Sequence, residues 1–190
     1  MDCSQFHLIK EHVCQRLEKL DSRLTYHNLA HTLDVLKQAE RISTEEGLDE
    51  NSICLIKVAA LYHDIGFLET YKNHEEMSCT LFLKDAERFS LSEEEKQIII
   101  DLILATKVPQ QPQNFMQAIL CDADLDYLGR DDFFTIGNEL RKEFIEFGVV
   151  ANNDEWERLQ INFLSKHKYH TKNSISKREP LKQQHFAQLV

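Results

Sequence analysis

Apolar residues recur at intervals of three and four along most of the chain, which is the spacing of one face of an α-helix. Runs that alternate apolar and polar residues over a useful strand length do not occur. With only five glycines and three prolines, long helices are favoured over a turn-rich all-β fold. The pattern therefore predicts an all-α fold. The apolar face of the first predicted helix, residues 4–20, carries Phe6, Ile9, Val13, Leu17 and Leu20.

Capping residues and prolines predict where the helices begin and end. Asn28 is the expected N-cap of a helix that Gly47 closes. Ser92 and Glu95 form a capping box for a later helix, and two prolines break the chain after it. The pattern thus predicts a bundle of about eight helices. The remaining predicted helices span residues 50–63, 73–89, 92–107, 113–127, 131–147 and 152–167.

Length and composition predict a single domain over residues 1–190, with its chemistry in residues 26–128 and a basic C-terminal segment at 166–190. The five cysteines are odd in number and include no CxxC pair, so inert thiols are expected. No apolar run approaches the ~20 residues that a membrane helix needs. The first twelve residues lack the apolar stretch of a signal peptide, and a cytoplasmic location is expected.

The chain is acidic overall but basic near its C-terminal end. A formal net charge of −10 disfavours binding to nucleic-acid polymers. Residues 166–190 nevertheless carry six Lys and Arg side chains against the single acid Glu179. This basic segment is either a solvated tail or a set of cations folded back over an anionic substrate.

Two pairs of chemistry-bearing residues lie at predicted helix ends. His27 and His31 are four residues apart, so on a helix they would share one face. They can then bind a metal together or divide the roles of ligand and proton donor. His63 and Asp64 end the most apolar helix, where a buried charge needs a partner or a metal. Ordinary histidines at a capping turn and a buried histidine paired with its neighbour are the alternatives.

Asp122, Asp124 and Asp126 alternate along a short segment that follows apolar sequence. Carboxylates this close repel one another unless cations lie between them. A calcium-binding EF-hand loop is excluded, because its sixth and twelfth positions require glycine and glutamate but hold Tyr127 and Phe133. A metal site and a helix-capping cluster both remain open for this segment.

Histidine and carboxylate side chains together form a mixed nitrogen and oxygen ligand set. Such a set suits one or two divalent ions, namely Mn²⁺, Fe²⁺, Zn²⁺ or Ni²⁺, with Mg²⁺ at a carboxylate-rich second position. A metal bound in this way acidifies water and neutralises phosphate oxygens. P-loop and dinucleotide-binding functions have no support, because neither a GxxxxGK[ST] nor a GxGxxG motif occurs.

His31, the adjacent His63 and Asp64, and Asp124 resemble, in order and spacing, the H…HD…D signature of the HD superfamily of metal-dependent phosphohydrolases. YHNLAHT, which starts at Tyr26, resembles a segment of the HD-type cyclic-nucleotide phosphodiesterases. HDIG is a common form of the central dipeptide, and NHEE and DADLDYLG resemble segments of uncharacterised bacterial members. The resemblance covers about half of the chain.

The resemblance implies a fold and a role for each matching residue. The implied fold is the helical bundle of the HD domain, similar to that of the phosphodiesterases. His31, His63, Asp64 and Asp124 would be the metal ligands. Asp64 would bridge if two ions bind, and it is therefore also a candidate catalytic residue. His27 would be the general acid toward the leaving oxygen.

Further residues are expected near the metal and the substrate. Candidates for a second metal, or for contacts to the ligands, are His74, Glu75 and Asp122. The expected substrate-binding cations are Lys107, Arg130, Lys172 and Arg178. The run from Lys168 to Lys172 also alternates donors with an aromatic residue, which suits a phosphate and a stacked base.

The expected reaction is hydrolysis of a phosphoester by a metal-activated water. The expected substrate, a nucleotide or another small phosphorylated metabolite, follows from the resemblance and not from a base-reading feature. The alternatives are a non-catalytic module that senses a nucleotide and a di-iron oxygenase of the HD type, which needs a histidine-rich second iron site. No nucleic-acid polymer and no membrane is expected as a partner, and a homodimer is left open.

Overall fold

The computed structural model describes residues 3–190, and every regular element in that range is helical. These residues form ten α-helices and three short 3-10 turns with no β-strand, so the predicted all-α fold class is confirmed. The 3-10 turns are Cys3–Gln5, Ile65–Leu68 and Asp126–Gly129. The helices are α1 Phe6–Leu17, α2 Leu29–Glu45, α3 Glu50–Tyr62, α4 His74–Ala86, α5 Glu93–Ala105, α6 Phe115–Asp124, α7 Phe133–Glu146, α8 Asn153–Lys166, α9 Lys172–Lys177 and α10 Glu179–Leu189.

The two helices beyond the predicted eight lie in the basic C-terminal segment. Helices α1 to α8 correspond to the predicted ones, so the expected number was too low by two for the described residues. The side chain of Thr171 accepts a hydrogen bond from the backbone N–H of Ser174 and caps α9, and α10 carries Pro180 in its first turn. Helix α9 has only six residues, and α10 does not separate apolar from polar residues clearly, so periodicity did not reveal them.

The predicted caps are present. Oδ1 of Asn28 accepts hydrogen bonds from backbone N–H groups in the first turn of α2, including that of His31 at 3.2 Å. Ser92 and Glu95 form the reciprocal capping box of α5. Gly47 follows α2 with φ 77°, a left-handed conformation that favours glycine. The Asn28 cap fixes the start of α2 and thereby keeps His31 in its first turn.

Helix α3 is the centre of the larger hydrophobic cluster. Apart from Lys57, its residues from 54 to 62 are buried, and α1, α2, α5 and α6 pack around it. A helix that is apolar nearly all round belongs in such a central position. The larger cluster therefore fixes the C-terminal end of α3, where His63 and Asp64 follow.

A smaller hydrophobic cluster joins α7, α8 and the C-terminal segment through residues such as Phe133, Leu164 and Tyr169. The two clusters meet at the end of α6. Ala123 belongs to the larger cluster and Leu125 to the smaller one, so Asp124 lies at the junction between them.

Gly66 does not end α3, because three residues separate it from the last residue of that helix. Helix α3 ends at Tyr62, and His63 is its C-cap. Gly66 instead lies against α4, since a Cβ atom at this position would be 2.0 Å from the carbonyl oxygen of His74. Its N–H donates a hydrogen bond to Oγ of Ser78 at 2.8 Å. Glycine thus permits a close approach between this segment and the first turn of α4.

The basic C-terminal segment is folded against the rest of the chain and is not a solvated tail. Helix α10 packs against α8. Lys182 is fully buried, and its Nζ atom donates to the carbonyl oxygen of His167 at 2.7 Å. Arg178 pairs with the buried carboxylate of Asp126 at 2.9 Å. These two cations therefore bind a backbone carbonyl oxygen and a carboxylate of the protein itself.

Among the residues that the structure describes, none of the helices combines the length and the apolar character that a membrane span requires. Cys14, Cys79 and Cys121 are free thiols. Residues 1–2 and the side chain of Cys3 lie outside the described part of the chain. The segment that is predicted to lack a signal peptide starts with these residues.

Candidate metal centre

Three helix ends bring the signature side chains to one place. His31 lies in the first turn of α2, and Asp124 is the last residue of α6. His63 is the C-cap of α3, and Asp64 follows it. Adjacent residues inside an α-helix point about 100° apart. His63 and Asp64 can share a partner because the helix ends between them.

The four side chains meet through single atoms. The Nε2 atoms of His31 and His63 are 3.3 Å apart. Oδ2 of Asp64 lies 3.4 Å from Nε2 of His31 and 3.1 Å from Nε2 of His63. Oδ1 of Asp124 lies 3.3 and 3.6 Å from the same two nitrogens. Donor atoms this close can share one cation, and those of His31, His63 and Asp124 have the spacing of a metal-binding group.

A divalent cation fits this arrangement. Oδ2 of Asp64 is buried and has no hydrogen-bond partner, which is unfavourable for a carboxylate oxygen unless a cation binds it. Nδ1 of His63 donates to the carbonyl oxygen of Ala60 at 2.8 Å, so Nε2 carries the lone pair that a metal needs. Two imidazoles and two carboxylates form the mixed ligand set expected from the sequence.

The electrostatic field at this point favours positive charge. Burial alone would lower the pKa of His63, but the carboxylates of Asp64 and Asp124 raise it well above its usual range. The pKa of His31 is raised by the same two carboxylates in spite of burial. Burial alone would raise the pKa of Asp64, yet the neighbouring imidazoles hold it well below its usual range. The carboxylates therefore stay ionised and attract a proton or a metal ion.

Gln110 orients Asp124 and was not among the residues predicted from the sequence. Its Nε2 atom donates a hydrogen bond to Oδ2 of Asp124 at 3.0 Å, while Oδ1 of Asp124 lies near the two histidines. Gln110 follows Pro109 in the break predicted between α5 and α6. A hydrogen bond of this kind fixes the orientation of a metal ligand and strengthens metal binding.

His27 is held by Glu143, a fully buried acid on α7. Oε1 of Glu143 accepts a hydrogen bond from Nδ1 of His27 and another from the hydroxyl of Tyr71 at 3.0 Å. Its Oε2 accepts from the backbone N–H groups of Tyr26 and His27 at 2.9 and 3.0 Å. These bonds fix the orientation of the imidazole, whose ring centroid lies 6.0 Å from that of His31.

Sequence reasoning missed Glu143, although a signal was present. Glu143 falls at the helical spacing of Ile136, Leu140 and Phe147, so a carboxylate interrupts the apolar face of α7. A charge in such a position needs a partner. Burial would raise the pKa of Glu143, but the interactions with His27 hold it below the usual value.

A second set of donor atoms lies beside the first. Nε2 of His74 is 3.3 Å from Oδ1 of Asp64, and Oε1 of Glu75 is 3.6 Å from the same nitrogen. The two oxygens of Asp64 therefore face different histidines. The ring of Phe67 stacks on that of His74 with centroids 4.0 Å apart, which restrains the imidazole.

Asp122 belongs to neither set of donor atoms. Its carboxylate accepts hydrogen bonds from the backbone N–H groups of His170 and Thr171 at 2.9 and 2.8 Å, and from the Thr171 hydroxyl at 2.7 Å. The expectation that Asp122 serves a second metal or contacts the ligands is corrected by this geometry. Residues two apart on a helix do not share a face, so Asp122 and Asp124 have different partners.

Arg130 and Arg178, two of the four cations expected to bind substrate, pair with carboxylates elsewhere. Arg130 pairs with Asp34 at 2.7 Å, and Arg178 pairs with Asp126 at 2.9 Å. An acidic protein offers such partners to its few arginines, and tertiary packing decides which ones meet. The structure therefore does not bring these two side chains to the metal centre.

Lys107 and Lys172, the other two expected cations, are not among the residues that line the cavity beside the metal centre. Lys107 pairs with Glu76 on the surface. Lys172 begins α9 and is exposed. Neither borders the cavity beside the metal centre.

A cavity of about 830 Å³ opens onto the metal centre. Asp64, Asp124 and His74 line its polar end. Helices α7 and α8 contribute further walls, and the segment after α8 contributes Lys168 and His170. Within the basic segment, the residues that border the cavity are Lys166, His167, Lys168 and His170.

The HD domain family matches residues 28–125, just over half of the chain, and this chain belongs to that family. The matched region contains His31, His63, Asp64 and Asp124. The family membership expected from the signature is confirmed. HD domain proteins are typically metal-dependent phosphohydrolases, and the cluster of His and Asp side chains here can hold a divalent metal.

An uncharacterized protein of Clostridium beijerinckii (strain ATCC 51743 / NCIMB 8052) is 35% identical to this chain over 106 residues. The aligned region is 54% of this chain and 66% of that protein, so the chain spans slightly less than two thirds of this relative's length. The name of that protein states no activity. No solved structure matches the chain.

Proposed function

We propose that this protein is a metal-dependent phosphohydrolase that hydrolyses a phosphoester of a small phosphorylated metabolite through a metal-activated water. The observation that carries the proposal is the meeting of His31, His63, Asp64 and Asp124, where one buried carboxylate oxygen has no hydrogen-bond partner. A nucleotide is the substrate class that the sequence resemblance implies.

In this proposal the four signature side chains hold the first cation. A bound divalent cation supplies Lewis acidity, acidifying a water molecule and neutralising phosphate oxygens. Gln110 keeps the carboxylate of Asp124 turned toward that position. Because Asp64 touches both donor sets, its Oδ1 atom would hold a second cation together with His74 or Glu75.

We assign His27 the donation of a proton to the leaving oxygen. Its ring centroid lies 6.0 Å from those of His31 and His74, beside both donor sets. Glu143 binds its Nδ1 atom, which leaves Nε2 as the nitrogen that can carry the transferred proton. The buried Glu143 carboxylate also accepts a hydrogen bond from the backbone N–H of Tyr26, and it therefore restrains the orientation of the His27 imidazole.

Buried aromatic side chains pack beside the same region. The ring of Tyr26 lies against that of His31 with centroids 4.5 Å apart, and the ring of Tyr127 lies 5.7 Å from that of Tyr26. Both tyrosines are buried. A low local dielectric strengthens the attraction between the site and a phosphate-bound cation.

The experiment that tests this function combines metal analysis with a phosphoester panel. The purified protein is stripped of metal, and phosphate release is measured before and after addition of Mn²⁺, Mg²⁺ or Ni²⁺. Asp124→Asn removes the charge of one ligand and keeps its shape, while Glu76→Gln changes an exposed acid outside the donor sets. We expect metal-dependent phosphate release by the wild type and by Glu76→Gln, and a loss of about 100-fold or more in Asp124→Asn.

Two results would contradict the proposal. Tight nucleotide binding without phosphate release, whatever metal is added, would indicate a sensor. Oxygen uptake by the iron-loaded protein without phosphate release would indicate the oxygenase alternative.

A further inference from the structure

The cavity beside the metal centre has a lining that is more apolar than polar. Away from the metal centre, α7 and α8 contribute aliphatic and aromatic side chains to its lining. Most of these side chains are half-buried, so part of their apolar surface remains open to the cavity in addition to the part that packs against other side chains. This apolar wall consists of Leu140, Phe144, Trp156, Leu159 and Phe163.

The apolar wall is continuous with the position of His27. Glu143, which binds His27, is followed on α7 by Phe144. The ring of Phe144 meets that of Trp156 on α8 edge to face, with centroids 5.8 Å apart. Leu140 lies one turn before Glu143 and Phe144 on the same helix face. A ligand that extends from the metal centre past His27 therefore meets hydrocarbon surface.

We infer that the apolar wall is the subsite for an alkyl or aryl group on the alcohol that the phosphate esterifies. The inference rests on the proposed function and narrows its substrate class. A cavity of about 830 Å³ is within the range of pockets that enclose whole small ligands. With phosphate at the metal centre and the apolar group on the wall, the oxygen between them lies near His27.

A nucleotide suits this wall less well than an apolar alcohol does. A base and a ribose carry several hydrogen-bonding groups, and burying each of them without a partner is unfavourable. The uncharged polar side chains that α8 contributes to the lining are Gln160 and Asn162, and Asn162 is exposed. Lys166 and Lys168 are exposed as well. Among the side chains of α8, Gln160 would thus be the main hydrogen-bond partner for a buried base.

Trp156 is the one tryptophan in the sequence, so its fluorescence reports on the apolar wall. The test titrates the purified protein with straight-chain alcohols from butanol to octanol. Binding is followed by Trp156 fluorescence and, independently, by titration calorimetry. We expect the affinity to rise about fourfold for each methylene, the factor that corresponds to ~0.8 kcal/mol per buried CH₂. Affinities that do not depend on chain length by either method overturn the inference.

Matched variants on α8 locate the binding surface. Leu159→Gln places a polar side chain in the apolar wall, and Ile161→Gln makes a similar change outside the cavity lining. We expect octanol affinity to fall about tenfold in Leu159→Gln and to stay unchanged in Ile161→Gln. An equal loss in both variants would show that the alcohols bind elsewhere and would overturn the inference.

Alkyl phosphates of the same chain lengths, compared with a nucleoside monophosphate, separate this inference from the proposed function. We expect kcat/KM to rise with chain length and to exceed the value for the nucleotide. Hydrolysis that does not depend on chain length contradicts the apolar subsite and leaves the proposed function intact. Chain-length-dependent alcohol binding without hydrolysis of any phosphoester contradicts the proposed function and supports the subsite.

Discussion

Nδ1 of His27 is hydrogen-bonded to a carboxylate oxygen of Glu143, although 116 positions separate the two residues in the chain. The same carboxylate accepts hydrogen bonds from the backbone N–H groups of Tyr26 and His27. Helix α7 thereby restrains the segment that leads into α2, whose first turn carries His31. One buried acid holds the proposed proton donor in a fixed position relative to the metal centre.

Replacing His27 by asparagine tests its proposed role as the proton donor. We expect kcat to fall by about 100-fold or more for an alkyl phosphate, whose leaving oxygen needs a proton. The loss should be much smaller for p-nitrophenyl phosphate, whose leaving group departs as a stable anion. Rates for both substrates are compared in the wild type, in His27→Asn and in a control, His7→Asn, on exposed α1 surface. Equal losses for both substrates in His27→Asn would exclude proton donation.

Glu143→Gln preserves the shape of the buried acid and weakens its bonds to His27. We expect kcat to fall by about 10- to 100-fold, with the same dependence on the leaving group as in His27→Asn. The free energy of unfolding should fall by about 1–3 kcal/mol, because two backbone N–H groups lose a charged acceptor. The double variant should lose little more activity than His27→Asn alone. Fully additive losses would mean that the two residues act independently.

Metal binding should stabilise the fold through the signature residues. A ligand at 100 times its Kd stabilises the folded state by about 2.7 kcal/mol, so chelation should lower the Tm of the wild type and added Mn²⁺ should restore it. Asp124→Asn should lose this response. Without metal, Asp124→Asn should be less stable than the wild type, because the imidazoles of His31 and His63 lower the pKa of Asp124 to about 2 in spite of burial, and the ionised carboxylate therefore stabilises the fold. A normal Mn²⁺ response in Asp124→Asn would contradict the assignment of this ligand.

Asp122→Asn is the matched comparison for Asp124→Asn, two positions away on the same helix. It weakens the anchor of α9 at Thr171 and leaves the donor sets intact. We expect a loss of about 1–3 kcal/mol in the free energy of unfolding and an unchanged increase of Tm with Mn²⁺. Loss of the Mn²⁺ response in this variant would place Asp122 among the ligands after all.

His167 should make stability depend on pH. Burial and the charge of Lys182 lower its pKa from 6.5 to about 3 in the folded protein. Between these values the unfolded chain binds the extra proton, so stability is full above pH 6.5 and falls as pH decreases toward 3. We expect the wild type to lose about 2 kcal/mol more than His167→Asn between pH 7 and pH 5. Denaturant unfolding measures this difference, and the exposed His170→Asn should behave as the wild type does.

The parts of the site that the sequence could predict depend on local signals. The cap at Asn28 determines where α2 begins, and this position decides that His31 lies in its first turn. Similarly, the apolar run of α3 marks its buried end, where His63 and Asp64 follow. Each of these signals lies within a few residues of the ligand that it positions, so no knowledge of tertiary packing was needed.

The parts that the sequence could not predict depend on long-range packing. Gln110 reaches Asp124, and Glu143 reaches His27, only after distant helices have packed together. Whether Arg130 faces a substrate or a carboxylate is decided in the same way. The two C-terminal helices were missed for different reasons. Helix α9 is short, and its start depends on the buried carboxylate of Asp122. Helix α10 does not separate apolar from polar residues clearly.

Crystals grown with Zn²⁺ and measured at its absorption edge would show directly whether the signature side chains share a cation. We predict an anomalous peak about 2.0–2.2 Å from the Nε2 atoms of His31 and His63 and from a carboxylate oxygen of each of Asp64 and Asp124. A map with no peak among these four side chains, or with the ion bound elsewhere on the chain, would contradict the metal centre on which the proposed function depends.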